Sequence, residues 1–314
     1  MLKLILTFLL SLNLFAVQKM QPTFSFKATG TVQSMVFEND LLYAGTDNGT
    51  VEIFQLKTKQ KIKTIKIPDI KDFMGDTIAA KIYSIDKIDN KILIASQGMK
   101  GYRNIFIYEN NTLNKIIGID KKYFFQKATF VSKNQIIFGL LSNQIGLYDI
   151  DKKKVQYLIQ ISPSSFSHFM ISEDKKTLAT TDESGIVRIL DIQSGRVIQE
   201  LKALNLDRVY QLDYKKGIIL TAGQDRKAVV YNGFSPYHME FNFLLYSCGL
   251  SPKAKLGAIA YNEQNEVLIF NINNQRKLFN LTGQKATLTQ ILFINENELF
   301  VSSDDPNINY FKFK

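Results

Sequence analysis

Leu41-Leu42-Tyr43-Ala44-Gly45-Thr46-Asp47-Asn48-Gly49-Thr50-Val51-Glu52-Ile53-Phe54 reads as two short apolar strands joined by a small polar turn. Close relatives of this unit are Thr177–Leu190, Ile218–Tyr231 and Leu256–Phe270, and weaker copies run over Ile92–Tyr108, Ile136–Tyr148 and Leu299–Phe311. The residues that close the seven copies, Phe54, Tyr108, Tyr148, Leu190, Tyr231, Phe270 and Phe311, lie 39 to 42 residues apart except for one interval of 54. A strand-built period near forty is the signature of a propeller blade. The expected fold is therefore all-β, a single seven-bladed propeller.

Each unit extends on both sides. Upstream of the first copy, Val32–Phe37 alternates and reads as an inner strand, with equivalents at Ile82–Ile88, Lys127–Val131, Phe166–Ile171, Val209–Tyr214, Tyr246–Leu250 and Thr289–Ile294. Downstream, Lys61–Ile67 alternates lysine with isoleucine, the pattern of an outer strand with one wet face. Four antiparallel strands then make one blade. The seventh copy ends at Phe311-Lys312-Phe313-Lys314 and lacks a fourth strand, whereas Thr23–Ala28 alternates like an outer strand with no blade of its own. Placing Thr23–Ala28 on the open edge of blade 7 closes the ring and removes that edge. Removing residues up to Ala28 is expected to destabilise the whole ring.

The repeat resembles the WD40 family across essentially the whole of residues 17–314. The matching residues are Thr46-Asp47-Asn48-Gly49-Thr50-Val51 and Ser184-Gly185-Ile186-Val187-Arg188-Ile189-Leu190-Asp191-Ile192, with Ser194-Gly195-Arg196 as the next turn. Leu147-Tyr148-Asp149-Ile150 stands where that family carries its tryptophan–aspartate pair. The chain departs from the pattern in having no tryptophan and no glycine–histidine pair opening a blade. Asp47, Asp182 and Asp225 keep the family's aspartate in the turn between second and third strands.

Residues 1–16 stand apart from the array. Met1-Leu2-Lys3 is a short positive start, Leu4–Leu14 is almost wholly apolar, and Leu14-Phe15-Ala16 offers a small residue at a cleavage point. This is the layout of a secretory signal, too short to span a bilayer stably. Cleavage after Ala16 is expected, giving a periplasmic chain that starts at Val17, without stable membrane insertion. No cysteine follows the apolar run, which argues against a lipid anchor. Cys248 is the one cysteine in the chain, which rules out an internal disulfide and any CxxC metal motif. Its apolar setting, Leu244–Leu250, marks it as a small core residue.

The net charge of +10 points to an acidic partner at first sight, but lysine far outnumbers arginine. Nucleic-acid recognition favours arginine, with its bidentate fork, so nucleic acid is not expected as a partner. Catalytic traces are few. His168 lies in an inner strand and can face the central channel, His238 precedes an outer strand, and neither has a second histidine nearby. Asp304-Asp305 is a local acidic pair in a turn. No phosphate-cradling or dinucleotide glycine motif is present. No catalytic, metal or cofactor residue is assigned, and the chain reads as a non-enzyme.

Binding leaves stronger traces. The interval of 54 arises from two insertions, the connection Pro68–Asp76 into blade 2 and the turn Gln97–Arg103 within it. Blade-to-blade connections and second-to-third-strand turns leave a propeller on the same face. One raised patch is therefore expected, carrying Phe73, Met74, Met99, Tyr102 and Arg103 as partner-binding residues, since buried interface cores favour aromatics, methionine and arginine. The turns of the opposite face collect Lys57, Lys59, Lys152, Lys153, Lys154, Lys175, Lys176, Lys215, Lys216, Lys253 and Lys255, while Asp47, Asp182, Glu183, Asp225, Glu263, Asp304 and Asp305 fall on the insertion side.

Within the WD40-like propellers, length, leader, repeat layout and lysine-rich composition resemble the NapL family of accessory proteins, found with periplasmic nitrate reductase systems. That resemblance implies a monomeric, cofactor-free helper in maturation or activity of a molybdenum enzyme, binding the reductase subunits or an electron-transfer partner. The alternatives are a scaffold in envelope or outer-membrane assembly, and an enzyme or small-molecule sensor using the channel mouth.

Overall fold

Alternation within each strand sends successive side chains to opposite faces, and in this molecule both faces of every blade meet a neighbouring blade. The computed structural model describes residues 17–313 and arranges them as seven sheets around a ring. The leader read at residues 1–16 lies outside the described residues. Strands are lettered a to d from the channel outward. Blade 1 is Val32–Glu38, Leu41–Thr46, Thr50–Gln55 and Gln60–Lys66; blade 2 is Ile82–Ile88, Lys91–Gln97, Arg103–Glu109 and Thr112–Ile117. Blade 3 is Phe125–Ser132, Gln135–Leu140, Gln144–Asp149 and Lys154–Gln160; blade 4 is Phe166–Ile171, Thr177–Asp182, Val187–Asp191 and Val197–Leu201. Blade 5 is Val209–Lys215, Ile218–Gly223, Lys227–Tyr231 and Tyr237–Glu240, and blade 6 is Cys248–Leu250, Leu256–Ala260, Val267–Asn271 and Lys277–Leu281. Blade 7 takes Leu288–Asn295, Glu298–Ser303 and Asn307–Lys312 from the C-terminal end. Its d strand is Phe24–Lys27, paired antiparallel with Phe24 opposite Tyr310 and Phe26 opposite Ile308. The seven-bladed ring and its closure by the N-terminal strand are as expected.

The buried apolar residues fall into seven clusters, one at each seam between consecutive blades. The closing seam shows how tightly these pack. Phe26 from blade 7 stacks on Phe54 of blade 1 at 4.8 Å and lies within 6.2 Å of Phe300. Cys248 is buried in the seam between blades 5 and 6, a core residue as read from its sequence setting.

Outside the connection into blade 2, one strand has no counterpart in the repeat. Gln18–Met20 pairs in parallel with the d strand of blade 6, Gln18 opposite Phe279, and makes that sheet five-stranded. Val17 packs against the adjoining cluster. Residues 17–28 thus tie blade 6 to blade 7 before the chain enters blade 1.

The three turn aspartates each fasten the connection leading into their own blade. Asp47 accepts the Thr31 amide at 2.8 Å and Asp225 the Leu206 amide at 2.8 Å. Asp182 is buried and accepts from Ser162 Oγ at 2.7 Å, Asn143 Nδ2 at 2.9 Å, Arg188 Nη1 at 2.8 Å and the Ser184 hydroxyl. Burial alone would raise this carboxyl, but the hydrogen bonds from Ser184, Ser162 and Asn143 outweigh it and hold Asp182 below the usual range. Asp182 is therefore an interior group and not part of a charged face.

Candidate functional site

Two places in the ring gather chemistry: the central channel and the face that carries the blade-2 insertions. The channel is a product of bulged inner strands. In six of the seven, the residue after the first buried one is skipped by the ladder: Gln33, Tyr83, Gln126, Ser167, Tyr210 and Thr289. A bulge re-aims the side chains around it. Here it leaves the next residue lining the channel, and all six are polar: Ser34, Ser84, Lys127, His168, Gln211 and Gln290; blade 6 places Ser247 at the same position, buried and donating to Gln211 Oε1 at 2.6 Å.

Five of these seven accept a hydrogen bond from the backbone of the next blade. Ile85 N–H donates to Ser34 Oγ at 3.2 Å, Ala128 N–H to Ser84 Oγ at 3.0 Å, and Leu212 N–H to His168 Nδ1 at 3.4 Å. Cys248 N–H donates to Gln211 Oε1 at 3.0 Å, and Met35 N–H to Gln290 Oε1 at 2.6 Å, closing the ring. Two carboxylates repeat the device one layer on: Asp86 Oδ2 accepts from Phe130 N–H at 2.7 Å, and Asp213 Oδ2 from Leu250 N–H at 2.8 Å. Each such bond contributes on the order of 1 kcal/mol and spares a buried amide from going unpaired. Burial pushes Asp86 up to about 6 despite the Phe130 and Lys87 amides. The free space of the channel is about 220 Å³.

Sequence reasoning found His168 in this ring and missed its six counterparts. The signal was present as a polar residue at the same place in each inner strand, visible once the seven are aligned. His238 is exposed on the d strand of blade 5. Asp305 caps its own turn, accepting from the amide and the side chain of Asn307. Among the described residues no group of three or more histidine, cysteine or acidic side chains could hold a metal ion, and no helix is long and apolar enough to cross a membrane.

The blade-2 insertions do lie side by side. The connection into blade 2 folds as a small hairpin, Ile70–Lys71 against Thr77–Ile78, whose tip is held by Asp72 Oδ1 accepting the amides of Met74 and Asp76. Phe73 at this tip is 98% exposed and Met74 81%. The turn within blade 2 contains the 3-10 segment Met99–Gly101. Between the two lies a groove of about 810 Å³ lined by Ile70, Phe73, Met99, Lys71 and Lys100 among others. Tyr102 turns aside to pack on Phe124, ring centroids 5.1 Å apart.

Arg103 does not join the patch. Its guanidinium stacks 3.6 Å over the Tyr83 ring while Nη1 donates to Phe125 O at 2.6 Å and Gln126 Oε1 at 2.9 Å, across the seam to blade 3. Desolvation lowers its pKa below the usual value. It anchors two blades at the mouth of the channel. Phe124, Leu141 and Leu206, which the sequence did not single out, are exposed on the same face as the hairpin.

The fold is similar to the β-propeller domain of Myceliophteria thermophila Cps50 (Swd1), with 15% identity and a TM-score of 0.75, covering 93% of this chain and 99% of that one. It is also similar to Chaetomium thermophilum Raptor, at 13% identity and a TM-score of 0.73, covering 93% of this chain and 29% of that one. The chain thus spans less than a third of Raptor's length. At these identities the likeness is one of fold. No family model and no curated protein matches the sequence.

Proposed function

We propose that this chain is a non-enzymatic, protein-binding propeller that acts in the periplasm as an accessory factor of the nitrate reductase there. The observation that carries the binding role is the distribution of exposed apolar side chains. Of ten such large side chains among the described residues, six lie on the insertion face: Phe73, Met74, Met99, Phe124, Leu141 and Leu206. Ile62, Val197 and Ile198 sit on outer strands, and Phe234 on the lysine-rich face. Exposed apolar side chains gathered on one face in this way point to an interaction site. A rigid ring presenting a prominent phenylalanine and methionine offers a partner the anchors that dominate protein interfaces. The compartment is supported by the leader pattern of Met1–Ala16, and the partner by the resemblance in length, leader, repeat layout and composition.

The test is crosslinking in the native host during nitrate respiration, with wild-type protein beside the double variant Phe73→Ser, Met74→Ser. Recovery of nitrate reductase subunits with the wild type, lost with the variant, supports the reading. Recovery of outer-membrane assembly factors instead makes the chain an envelope scaffold. Equal recovery with both proteins moves the interface off the hairpin.

A further inference from the structure

Lys127 breaks the pattern of the channel ring. At its position the other inner strands carry a serine, a histidine or a glutamine, whereas a protonated lysine has no lone pair to offer the next blade. Its Nζ lies 2.8 Å from His168 Nε2 and 3.2 Å from Met170 Sδ, and both residues line the channel with it. Asp213 and Asp86 act on it through space, without a hydrogen bond.

The protons around this contact can be assigned from their partners. Leu212 N–H donates to His168 Nδ1, so that nitrogen carries no proton. The proton of the neutral imidazole then sits on Nε2 and points at Lys127 Nζ. An amine accepts that bond only through a free lone pair, which an ammonium lacks. Met170 Sδ takes one N–H of the uncharged amine. Desolvation moves both groups toward these uncharged forms, drawing Lys127 down to about 8 against the pull of Asp213 and Asp86, and holding His168 well below its usual range. The Phe169 ring, 5.6 Å from Nζ, also favours the cation, but from near the outer limit of such contacts. Desolvation outweighs these attractions without carrying Lys127 below neutrality, so at neutral pH the free amine that this arrangement requires is a minor form of Lys127.

We propose that Lys127 is the amine of a covalent capture site for a small uncharged carbonyl compound, with His168 as its proton donor. A desolvated lysine with a lone pair is the form that condenses with carbonyls. The channel space of about 220 Å³ is smaller than the ~300–1,000 Å³ of sites for drug-sized ligands, which restricts the occupant to a few heavy atoms. Asp213 and Lys215 both line this space, and a simple aldehyde fits it without a charge for either to meet. In the step itself the Lys127 nitrogen attacks the carbonyl carbon and a C–N bond forms. His168 Nε2–H protonates the oxygen and recovers a proton from the nitrogen, giving a carbinolamine. The same relay then protonates the hydroxyl, which leaves as water while the nitrogen lone pair closes the C=N bond, and the remaining N–H proton returns to His168. No oxidant or reductant enters. This site is independent of the docking face.

The experiment treats the wild-type protein with acetaldehyde and cyanoborohydride at neutral pH and follows each lysine by peptide mapping. Lys127 is expected to be alkylated at least about tenfold faster than exposed Lys71 or Lys216, because its desolvation raises the share of free amine. A Lys127 rate at or below that of the exposed lysines overturns the proposal. His168→Gln, with folding verified by its melting curve, is expected to slow Lys127 several-fold and leave the exposed lysines unchanged. An unchanged Lys127 rate in that variant overturns the role given to His168.

Discussion

Phe26 and Phe73 both belong to segments that interrupt the forty-residue repeat, and the ring treats them in opposite ways. Phe26 comes from the N-terminal segment, sits between blades 7 and 1, and is 4% exposed. Phe73 comes from the connection into blade 2, stands on the tip of a hairpin, and is 98% exposed. Burying a phenylalanine stabilises a fold by roughly 1.5–3 kcal/mol, and the hairpin forgoes that gain. The contrast separates an irregular segment kept for closure from one kept for an outside surface. Hub and rim therefore make different predictions, and the differences can be measured.

The largest effect should come from the closure. A chain beginning at Thr29 loses the d strand of blade 7, the parallel strand Gln18–Met20, and Phe26 itself. Phe54, Phe300, Ile308 and Tyr310 then lose their cover, and blade 7 presents an open edge. The expected outcome is loss of a cooperative thermal transition, read by circular dichroism. A truncated chain that melts cooperatively within a few degrees of the full one would place closure elsewhere and erase the distinction between hub and rim.

Next in size is the buried charge of blade 4. Arg188 Nη1 donates to Asp182 at 2.8 Å and Nε to Glu200 at 2.9 Å, and the Asp182 side chain is 1% exposed. Arg188→Ala leaves a buried carboxylate short of its cation and should cost about 3–5 kcal/mol in denaturant melts. Arg188→Met with Asp182→Asn should recover part of that loss, since the charge to be compensated is then gone.

The sequence made some of this contrast visible and hid the rest, for physical reasons. Apolar alternation is a local property, so the seven hairpins and the outer strand at Phe24–Lys27 could be read directly. The parallel strand Gln18–Met20 could not, because backbone pairing to an edge requires no side-chain pattern and two of its three residues stay exposed. The irregular interval announced the blade-2 insertions, and hence Phe73, Met74 and Met99. Arg103 was misplaced by the same reasoning. Its position in the turn was legible, but whether a strand-edge side chain faces solvent or the next blade depends on tertiary packing against Tyr83 and Phe125. The polar channel ring was encoded position by position, yet each member looked like an ordinary strand residue until the seven inner strands were set side by side around the ring.

A smaller effect, and one that depends on pH, comes from the hub. The Asp86 carboxyl is raised to about 6 in the folded chain, above its ordinary value near 4, because burial penalises the charged form. For an acid shifted upward the native state holds the extra proton. The penalty is therefore absent at pH values below the unfolded value and complete once pH has risen through about 6. Asp86→Asn keeps an oxygen for the Phe130 amide and removes the charge. It should stabilise the ring by about 2–3 kcal/mol at pH 8 and by almost nothing at pH 4. Equal stabilisation at both values would mean that Asp86 is not the titrating group.

The smallest effect on stability is expected at the rim, and its smallness is what gives it force. Phe73→Ser with Met74→Ser removes side chains that have almost no protein around them, while the Asp72 carboxylate still holds the tip through the backbone amides of residues 74 and 76. Surface changes of this kind stay within about 0.5 kcal/mol, so the melting midpoint should be indistinguishable from the parent. Capture of a partner should nevertheless fall at least about tenfold, the consequence of removing a central aromatic anchor. A variant that loses stability shows the hairpin to be part of the core, contrary to its exposure. One that keeps both stability and capture leaves Phe73 without a role and returns the docking surface to Phe124, Leu141 and Leu206 further around the face. The informative result is the dissociation of the two readouts, because Phe26 cannot be removed without altering stability and Phe73 can.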